Sequence, residues 1–172
     1  MARTLAACVL PAIAISVAWL RIEEPVVAGD VAAIVALALA PALLPSRWAR
    51  WLGAVAACAA AAWITFGTEA WELLPGRNEE VLEPLAEAVG LGFGDFYRVL
   101  LPFDPTGSPE MHGLTLAAAF GFLLAVSLLV AAEKPVAAAA VTVVGAGWPA
   151  TLLDGRAALL GALALGAALS IP

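Results

Sequence analysis

Few side chains in this sequence could take part in chemistry. The single histidine, His112, lies two residues after Glu110. A histidine beside carboxylates could bind a metal ion or relay a proton. One histidine is a small ligand set, however, and we expect His112 to have an interfacial or capping position instead of a catalytic one.

The other candidates lie in or next to strongly apolar stretches. Cys8 and Cys58 are surrounded by apolar residues, where a thiolate is poorly solvated, so we interpret them as small apolar side chains. Asp30 and Glu69 lie near the ends of such stretches, where a carboxylate is more often solvated than functional. We therefore predict no catalytic, metal-binding or cofactor-binding residue in this chain.

The elements that carry these residues are apolar runs of membrane-spanning length. Between Glu110 and Asp154 the only charged residues are the neighbours Glu133 and Lys134. Uncharged runs of 19 and 18 residues flank this pair. At ~1.5 Å per residue each run reaches roughly 27–29 Å as a helix, about the thickness of bilayer hydrocarbon. The sequence therefore predicts a membrane-embedded helical hairpin.

Composition extends this interpretation to the whole chain, which is 63% hydrophobic and 13% charged. Soluble domains have about half apolar and a quarter charged residues. We predict an all-α, polytopic membrane helix bundle with six spanning segments, at about 4–20, 26–44, 51–67, 114–132, 136–153 and 157–172.

The first predicted segment is too long for a signal-peptide core and should be retained. The second contains Asp30 and Pro41, which predicts a shallow or kinked span. The sixth is still apolar at Pro172, which suggests a fragment of a longer protein.

The predicted organisation is helices one to three in 4–67, an acidic loop in 68–113 and helices four to six in 114–172. The loop has nine acids and two arginines, a net charge of −7 against −6 for the whole chain. Apolar spacing predicts a helix that begins after Asn78 and ends at Gly90, with Pro84 as a kink or a second start. The stretch 93–103 is too apolar for a free linker, so we expect short helices on the outer membrane surface or capping the bundle.

Basic residues predict the orientation. The side that includes the N-terminus would hold Arg3, Arg47, Arg50 and Lys134. The short loops on the other side hold only Arg21 and Arg156. Cytoplasmic loops are enriched in Lys and Arg, so the N-terminus is predicted to be cytoplasmic and the loop 68–113 external, in a bacterial plasma membrane. The tryptophans expected near the outer interface are Trp19, Trp71 and Trp148, and those near the inner one are Trp48 and Trp51.

Small residues predict close packing between helices within the chain's own bundle. They are Gly145, Gly147, Gly161, Gly166 and the alanines of 59–62.

Three strings carry a resemblance to a known family. Residues 96–105 read FYRVLLPFDP, residues 108–113 read SPEMHG and residues 144–153 read VGAGWPATLL. With the hairpin between them, these strings resemble the N-terminal membrane region of actinobacterial transglutaminase-like membrane proteins of the TgpA type. The similarity is clearest over about residues 90–155, and the first seventy residues match mainly in helix pattern.

The resemblance implies a multi-pass anchor or scaffold for a downstream, extracytoplasmic domain. That domain would be papain-like and would use a Cys-His-Asp triad for acyl transfer or hydrolysis. None of the triad residues can be placed on this chain, so whether the parent protein is an enzyme stays open. The external loop could dock the downstream domain. Six spans with a cytoplasmic N-terminus would end in the cytoplasm, so an external domain needs a seventh span or one span fewer, the second segment being the first suspect.

Two alternatives from other classes remain. A transporter or channel subunit would need a polar path, for which the supply is thin: Thr65, Ser127, Thr142 and Thr151. A polytopic lipid-linked glycosyltransferase would need a carboxylate at the membrane surface, and the eligible residues are Asp95, Asp104 and Glu110. The expected partner is the lipid bilayer. The sequence has no basic patch for nucleic acid, no phosphate-binding loop and no zinc spacing.

Overall fold

A computed structural model describes residues 2–68, 83–96, 98–153 and 155–169 of the protein. Over these residues the chain is all-helical, as predicted, and has no strand. The helices are α1 (Ala2–Leu20), α2 (Ala28–Leu39) with a 3₁₀ turn (Ala40–Leu43), α3 (Arg47–Phe66), α4 (Glu83–Phe96), α5 (Pro109–Ala131), α6 (Pro135–Thr151) and α7 (Arg156–Leu169).

Three of the described helices are long and apolar enough to cross a membrane. They are Arg3–Leu20, Arg47–Phe66 and Pro109–Ala131. These helices correspond to the first, third and fourth predicted segments. Two shorter apolar helices, Ala28–Leu43 and Pro135–Thr151, correspond to the second and fifth. The structure therefore agrees with a membrane location.

The second segment is interrupted near Pro41. Helix α2 ends at Leu39, and the chain continues as the 3₁₀ turn Ala40–Leu43. Proline has no N–H to donate and its ring clashes with the preceding turn of an α-helix. The α-helix is therefore replaced by the 3₁₀ turn, after which the chain continues to Leu44.

Helix α5 is the centre of the bundle, because it packs against α1, α2, α3, α4 and α6. Its buried residues include Leu116, Ala119, Phe120 and Leu123, whose spacing places them along one face of the helix. Ser127 is fully buried and donates a hydrogen bond to the Ala38 carbonyl of α2, at 2.7 Å. This bond ties α5 to α2 through a side chain that would otherwise be unsatisfied.

Glycines allow the close helix contacts that the sequence predicts. A Cβ on Gly145 would lie 2.8 Å from the ring of Phe122, and one on Gly161 would lie 2.6 Å from the Gly147 carbonyl oxygen. Real Cβ atoms do not approach other atoms so closely, so α6 packs on α5 and α7 only because these positions lack side chains. Gly166 also lies in α7.

Trp19 has a different role from the one its position suggests. Its side chain is buried instead of facing the surroundings. The indole N–H donates to the Gly145 carbonyl at 2.9 Å, and its ring packs against Phe122 and Trp148. Trp48, Trp51 and Trp148 are exposed, whereas Trp71 lies outside the described residues.

Helix α4 extends further than predicted. It runs from Glu83 to Phe96, so the predicted end at Gly90 is wrong. The part after Gly90 packs on the start of α5, where a Cβ on Gly92 would lie 2.7 Å from the Glu110 carbonyl oxygen. Packing stabilises a helix beyond a weak position. Pro84 lies in the first described turn, where proline is tolerated, and Asn78 lies outside the described residues.

The bundle has two chemically different ends. The cap end consists of residues 21–24, 101–108 and the first turn of α5, and the Phe103 amide donates there to the Ile22 carbonyl at 3.0 Å. The basic end consists of residues 44–50 and 131–134, where an Arg50 nitrogen donates to the Ala131 carbonyl at 3.0 Å. Helices α1, α2 and α3 therefore alternate in direction between these ends, and α5 runs from the cap end to the basic end.

Candidate functional site

The cap end brings His112 together with two carboxylates that are distant in sequence. The Nδ1 atom of His112 lies 3.0 Å from Oε1 of Glu23. Its Nε2 atom lies 3.6 Å from Oδ2 of Asp30. The Glu23 side chain is 1% exposed and that of Asp30 is 47% exposed. The three residues, which we call the cap triad, therefore extend from the surface into the interior.

Glu23 is positioned by a short backbone pairing. The Glu24 amide donates to the Phe103 carbonyl at 2.9 Å, and the Phe103 amide donates to the Ile22 carbonyl at 3.0 Å. The side chains of Ile22 and Phe103 are buried. These apolar side chains hold the two segments against the bundle, and the backbone between Ile22 and Glu24 carries the Glu23 carboxyl into the interior.

His112 is positioned by the turn that begins α5. The Asp104 carbonyl accepts hydrogen bonds from the amides of Gly107 and Ser108. Proline at the first helical position, Pro109, favours a helix start because no N–H is lost there. The His112 amide then donates to the Ser108 carbonyl at 3.0 Å, and the imidazole contacts Glu23 of the α1–α2 connection.

Asp104 stabilises the same turn with its side chain. Its Oδ1 atom accepts hydrogen bonds from the hydroxyl and from the amide of Thr106, at 2.8 and 2.9 Å. The hydroxyl bond, followed by the amide bond, lowers the pKa of Asp104. Hydrogen bonds of this kind favour the charged form of a carboxyl group.

The contact between Glu23 and His112 lowers the free-energy cost of burying the Glu23 side chain. A buried carboxylate is costly unless it is paired and hydrogen-bonded. His112 supplies one partner, at Oε1 of Glu23. Among the described residues, Oε2 of Glu23 and Nε2 of His112 are buried without a hydrogen-bond partner. The pair therefore retains one polar atom on each side that could bind or exchange a proton.

A small cavity adjoins the buried side of Glu23. It has a volume of about 20 Å³ and is lined mainly by apolar side chains, with Ser16, Glu23 and Thr115 as the polar exceptions. The atoms that face the cavity are apolar, and an apolar cavity of this kind stays empty of water. The one hydroxyl of Thr115 donates to the Met111 carbonyl at 2.9 Å.

The cap triad is not arranged as a metal centre. No group of three or more histidine, cysteine, aspartate or glutamate side chains in the described ranges could hold a metal ion. Cys8 is distant from the triad, because it lies on α1 twelve residues before Leu20, roughly 18 Å along the helix axis. The arrangement suits proton exchange and the pairing of a buried charge.

The structure separates the other predicted candidates. Asp104 is exposed in its own turn, and Asp95 is half-buried at the end of α4. Glu110 lies in the first turn of α5. Glu69 lies outside the described residues. Sequence reasoning considered His112 and Asp30 separately and missed Glu23, because the partners are 89 residues apart and neither position carries a local motif.

No family model, curated protein or solved structure matches this chain. The resemblance to transglutaminase-like membrane proteins therefore depends on the residue strings alone.

Proposed function

We propose that this chain is a multi-pass membrane module that anchors and positions a downstream transglutaminase-like domain at the outer face of a bacterial plasma membrane. Helices α1, α2, α3, α5, α6 and α7 would each cross the bilayer. The observation that carries the proposal is the cap end, where a buried pair and a backbone bridge fix residues 101–112 on the bundle. Such a surface is an ordered platform instead of a mobile linker.

The alternating directions of the helices support six crossings. Helix α2 is short. It begins at the cap end, where Asp30 lies beside His112. Its 3₁₀ extension leads to Leu44 at the basic end, where the Leu44 carbonyl accepts a hydrogen bond from Arg50. Twelve α-helical and four 3₁₀ residues extend roughly 26 Å. That length is close to the thickness of bilayer hydrocarbon, so the second segment is long enough to pass through the bundle.

The charges of the two ends support an external cap end. Arg47, Arg50 and Lys134 gather at the basic end, and cytoplasmic loops favour such residues. Six crossings return the chain to the cytoplasmic side. An external catalytic domain would then follow a seventh crossing.

Exposed apolar side chains near the cap end support a docking role. Leu100 is 89% exposed, and Leu91 and Phe93 are at least half exposed. Leu100 follows the end of α4 and precedes the buried Phe103, so its backbone is held while its side chain faces outward. An exposed apolar side chain on a fixed backbone is a suitable anchor for another domain.

The rival functions gain less support. Three of the four hydroxyls available for a transport path donate to carbonyls of their own helices, at 2.7–2.8 Å, and the fourth, Ser127, donates to the Ala38 carbonyl of α2. The three acids eligible for a glycosyltransferase do not converge into a metal-binding group among the described residues. A polar path and a carboxylate centre are what those functions require.

The proposal can be tested by reading the gene beyond codon 172 and then cross-linking the full-length product. A photo-reactive residue at Leu100 should cross-link to the downstream domain. The matched position is Val136, which is exposed at the basic end and should not cross-link to it. A reading frame without any soluble domain, or equal cross-linking from both positions, would refute the anchoring role.

A further inference from the structure

We propose that the basic end contains a binding site for the phosphate headgroup of an anionic phospholipid. A groove of about 520 Å³ lies between α3 and the turn that joins α5 to α6. Its polar wall has three cationic side chains, Arg47, Arg50 and Lys134. Its apolar wall includes Trp51, Leu128 and Leu129. We call it the basic groove.

Arg50 is the fixed part of this groove. Its Nε atom donates to the Leu44 carbonyl and one terminal nitrogen donates to the Ala131 carbonyl, both at 3.0 Å. A guanidinium group has five N–H donors, so these two bonds orient the group and leave donors for a ligand. Preorganised donors lose less entropy when an anion binds.

Arg47 and Lys134 add positive charge at the rim. Both side chains are exposed. Each also stands at the beginning of a helix, Arg47 as the first residue of α3 and Lys134 directly before Pro135 of α6. Helix N-termini carry a partial positive charge and favour phosphate. The C-terminus of α5 borders the same groove and carries the opposite partial charge, but Arg50 donates to its Ala131 carbonyl.

The nearest acid does not cancel this charge. Glu133 precedes Lys134 and is exposed, and it does not line the groove. The backbone of Glu133 has a positive φ of 57°, and this residue forms the sharp turn between α5 and α6. Among the described residues, the lining of the groove therefore has three positive side chains and no negative one.

The shape of the groove favours a lipid over free phosphate. Trp51 is 61% exposed although it stands on an apolar helix, and Leu128 and Leu129 continue the apolar wall below the cations. A free phosphate would use only the charged rim, whereas a phospholipid would also cover the apolar wall with its acyl chains. Basic pockets between membrane helices are known to suit anionic headgroups.

The site rests on the membrane location in the proposed function but not on the transglutaminase-like partner. It can be tested with the protein in nanodiscs of phosphatidylcholine that contain a small fraction of brominated phosphatidylglycerol. Bromine quenches nearby tryptophan, and the difference between the wild-type protein and Trp51→Phe isolates the signal of Trp51. Brominated phosphatidylcholine at the same fraction is the reference lipid.

We expect Trp51 to be quenched more strongly by brominated phosphatidylglycerol than by the reference lipid. The double variant Arg47→Gln/Lys134→Gln should lower this preference at least about fivefold, since each basic residue near a membrane surface contributes about that factor. The matched control is Arg21→Gln/Arg98→Gln, which removes two exposed bases away from the groove and should retain the preference. Inorganic phosphate at constant ionic strength should not reduce it.

Three outcomes would overturn the lipid site. Equal quenching by the two brominated lipids would show no headgroup selection. Equal losses in the double variant and in its control would show a general charge effect. Displacement by inorganic phosphate would show a free-anion site. Failure to enter nanodiscs at all would refute the membrane location and with it the proposed function.

Discussion

The two ends of α5 hold charge in opposite ways. At the cap end, Glu23 is buried and paired with His112 from another part of the chain. At the basic end, Arg50 is partly exposed and donates to backbone carbonyls, and Arg47 and Lys134 are exposed. A buried charge must find its partner within the protein, whereas an exposed charge can serve a ligand. The cap end is therefore suited to fix structure and the basic end to bind.

The largest expected effect comes from breaking the pair at the cap end. His112→Ala would leave Glu23 buried without its partner, and removal of one member of a buried pair costs about 3–5 kcal/mol. Unfolding in mixed micelles with increasing sodium dodecyl sulfate would measure the loss. The double variant Glu23→Met/His112→Leu removes both polar groups and should recover most of the stability. If His112→Ala lowered the free energy of unfolding by less than about 1 kcal/mol, the pair would not be a main source of stability at the cap end.

A second test separates the cap end from the middle of the same helix. A Cβ on Gly113 would meet the Thr65 carbonyl oxygen, which is backbone and cannot move aside. Gly113→Ala should therefore cost about 2–3 kcal/mol through overpacking. The matched control is Gly121→Ala, where nothing lies within 4 Å, and it should stabilise α5 by about 0.5–1 kcal/mol. The same micelle assay measures both, and similar values for the two variants would contradict the close contact of α3 with α5.

A smaller effect is expected at the basic end. Arg50→Lys retains the charge but loses the fork that reaches the carbonyls of Leu44 and Ala131, so it should cost about 1.5 kcal/mol. Arg47→Lys has no hydrogen bond to lose among the described residues and should change stability by less than about 0.5 kcal/mol. If both changes were neutral, Arg50 would not be the fixed part of the basic groove.

The smallest effect concerns the turn that carries His112. The Thr106 hydroxyl lowers the pKa of Asp104, so Thr106→Val should raise it towards its ordinary value, and Thr106→Ser should leave it low. Because the folded pKa is lowered, the carboxylate contributes stability above its unfolded pKa of about 3.9 and loses it as the pH falls through the folded value. A carboxyl ¹³C titration would measure the midpoints. Equal midpoints in the Val and Ser variants would remove this role of the hydroxyl.

Much of the helical framework follows from uncharged runs in the sequence. The predicted segment 4–20 lies within α1, and the predicted segment 114–132 overlaps α5. Arg3 precedes the first segment, and Glu110 and Glu133 flank the second. These boundaries are predictable because charge is costly in an apolar medium and therefore marks helix ends. Gly90 misled the prediction of α4 because packing on α5 outweighs a single weak helix former.

The cap triad could not be predicted from local sequence. His112 is conspicuous as the only histidine, but its partner Glu23 is one of two adjacent glutamates in a short connection. Which of them turns inward depends on the hydrogen bonds of Ile22 and Glu24 with Phe103, a contact between distant segments. The burial of Trp19 is unpredictable for the same reason, because it depends on Gly145 of a distant helix.

The most direct test of this account is the sidedness of the two ends in intact cells. Cys8→Ala/Cys58→Ala removes both cysteines of residues 1–172, and these residues are expressed by themselves for this test. Thr106→Cys at the cap end or Ser46→Cys at the basic end is then added, since both positions are exposed. A membrane-impermeant maleimide should label position 106 in intact cells and position 46 only after the membrane is permeabilised. Labelling of both positions from the same side would contradict a bundle that crosses the membrane with two chemically different ends.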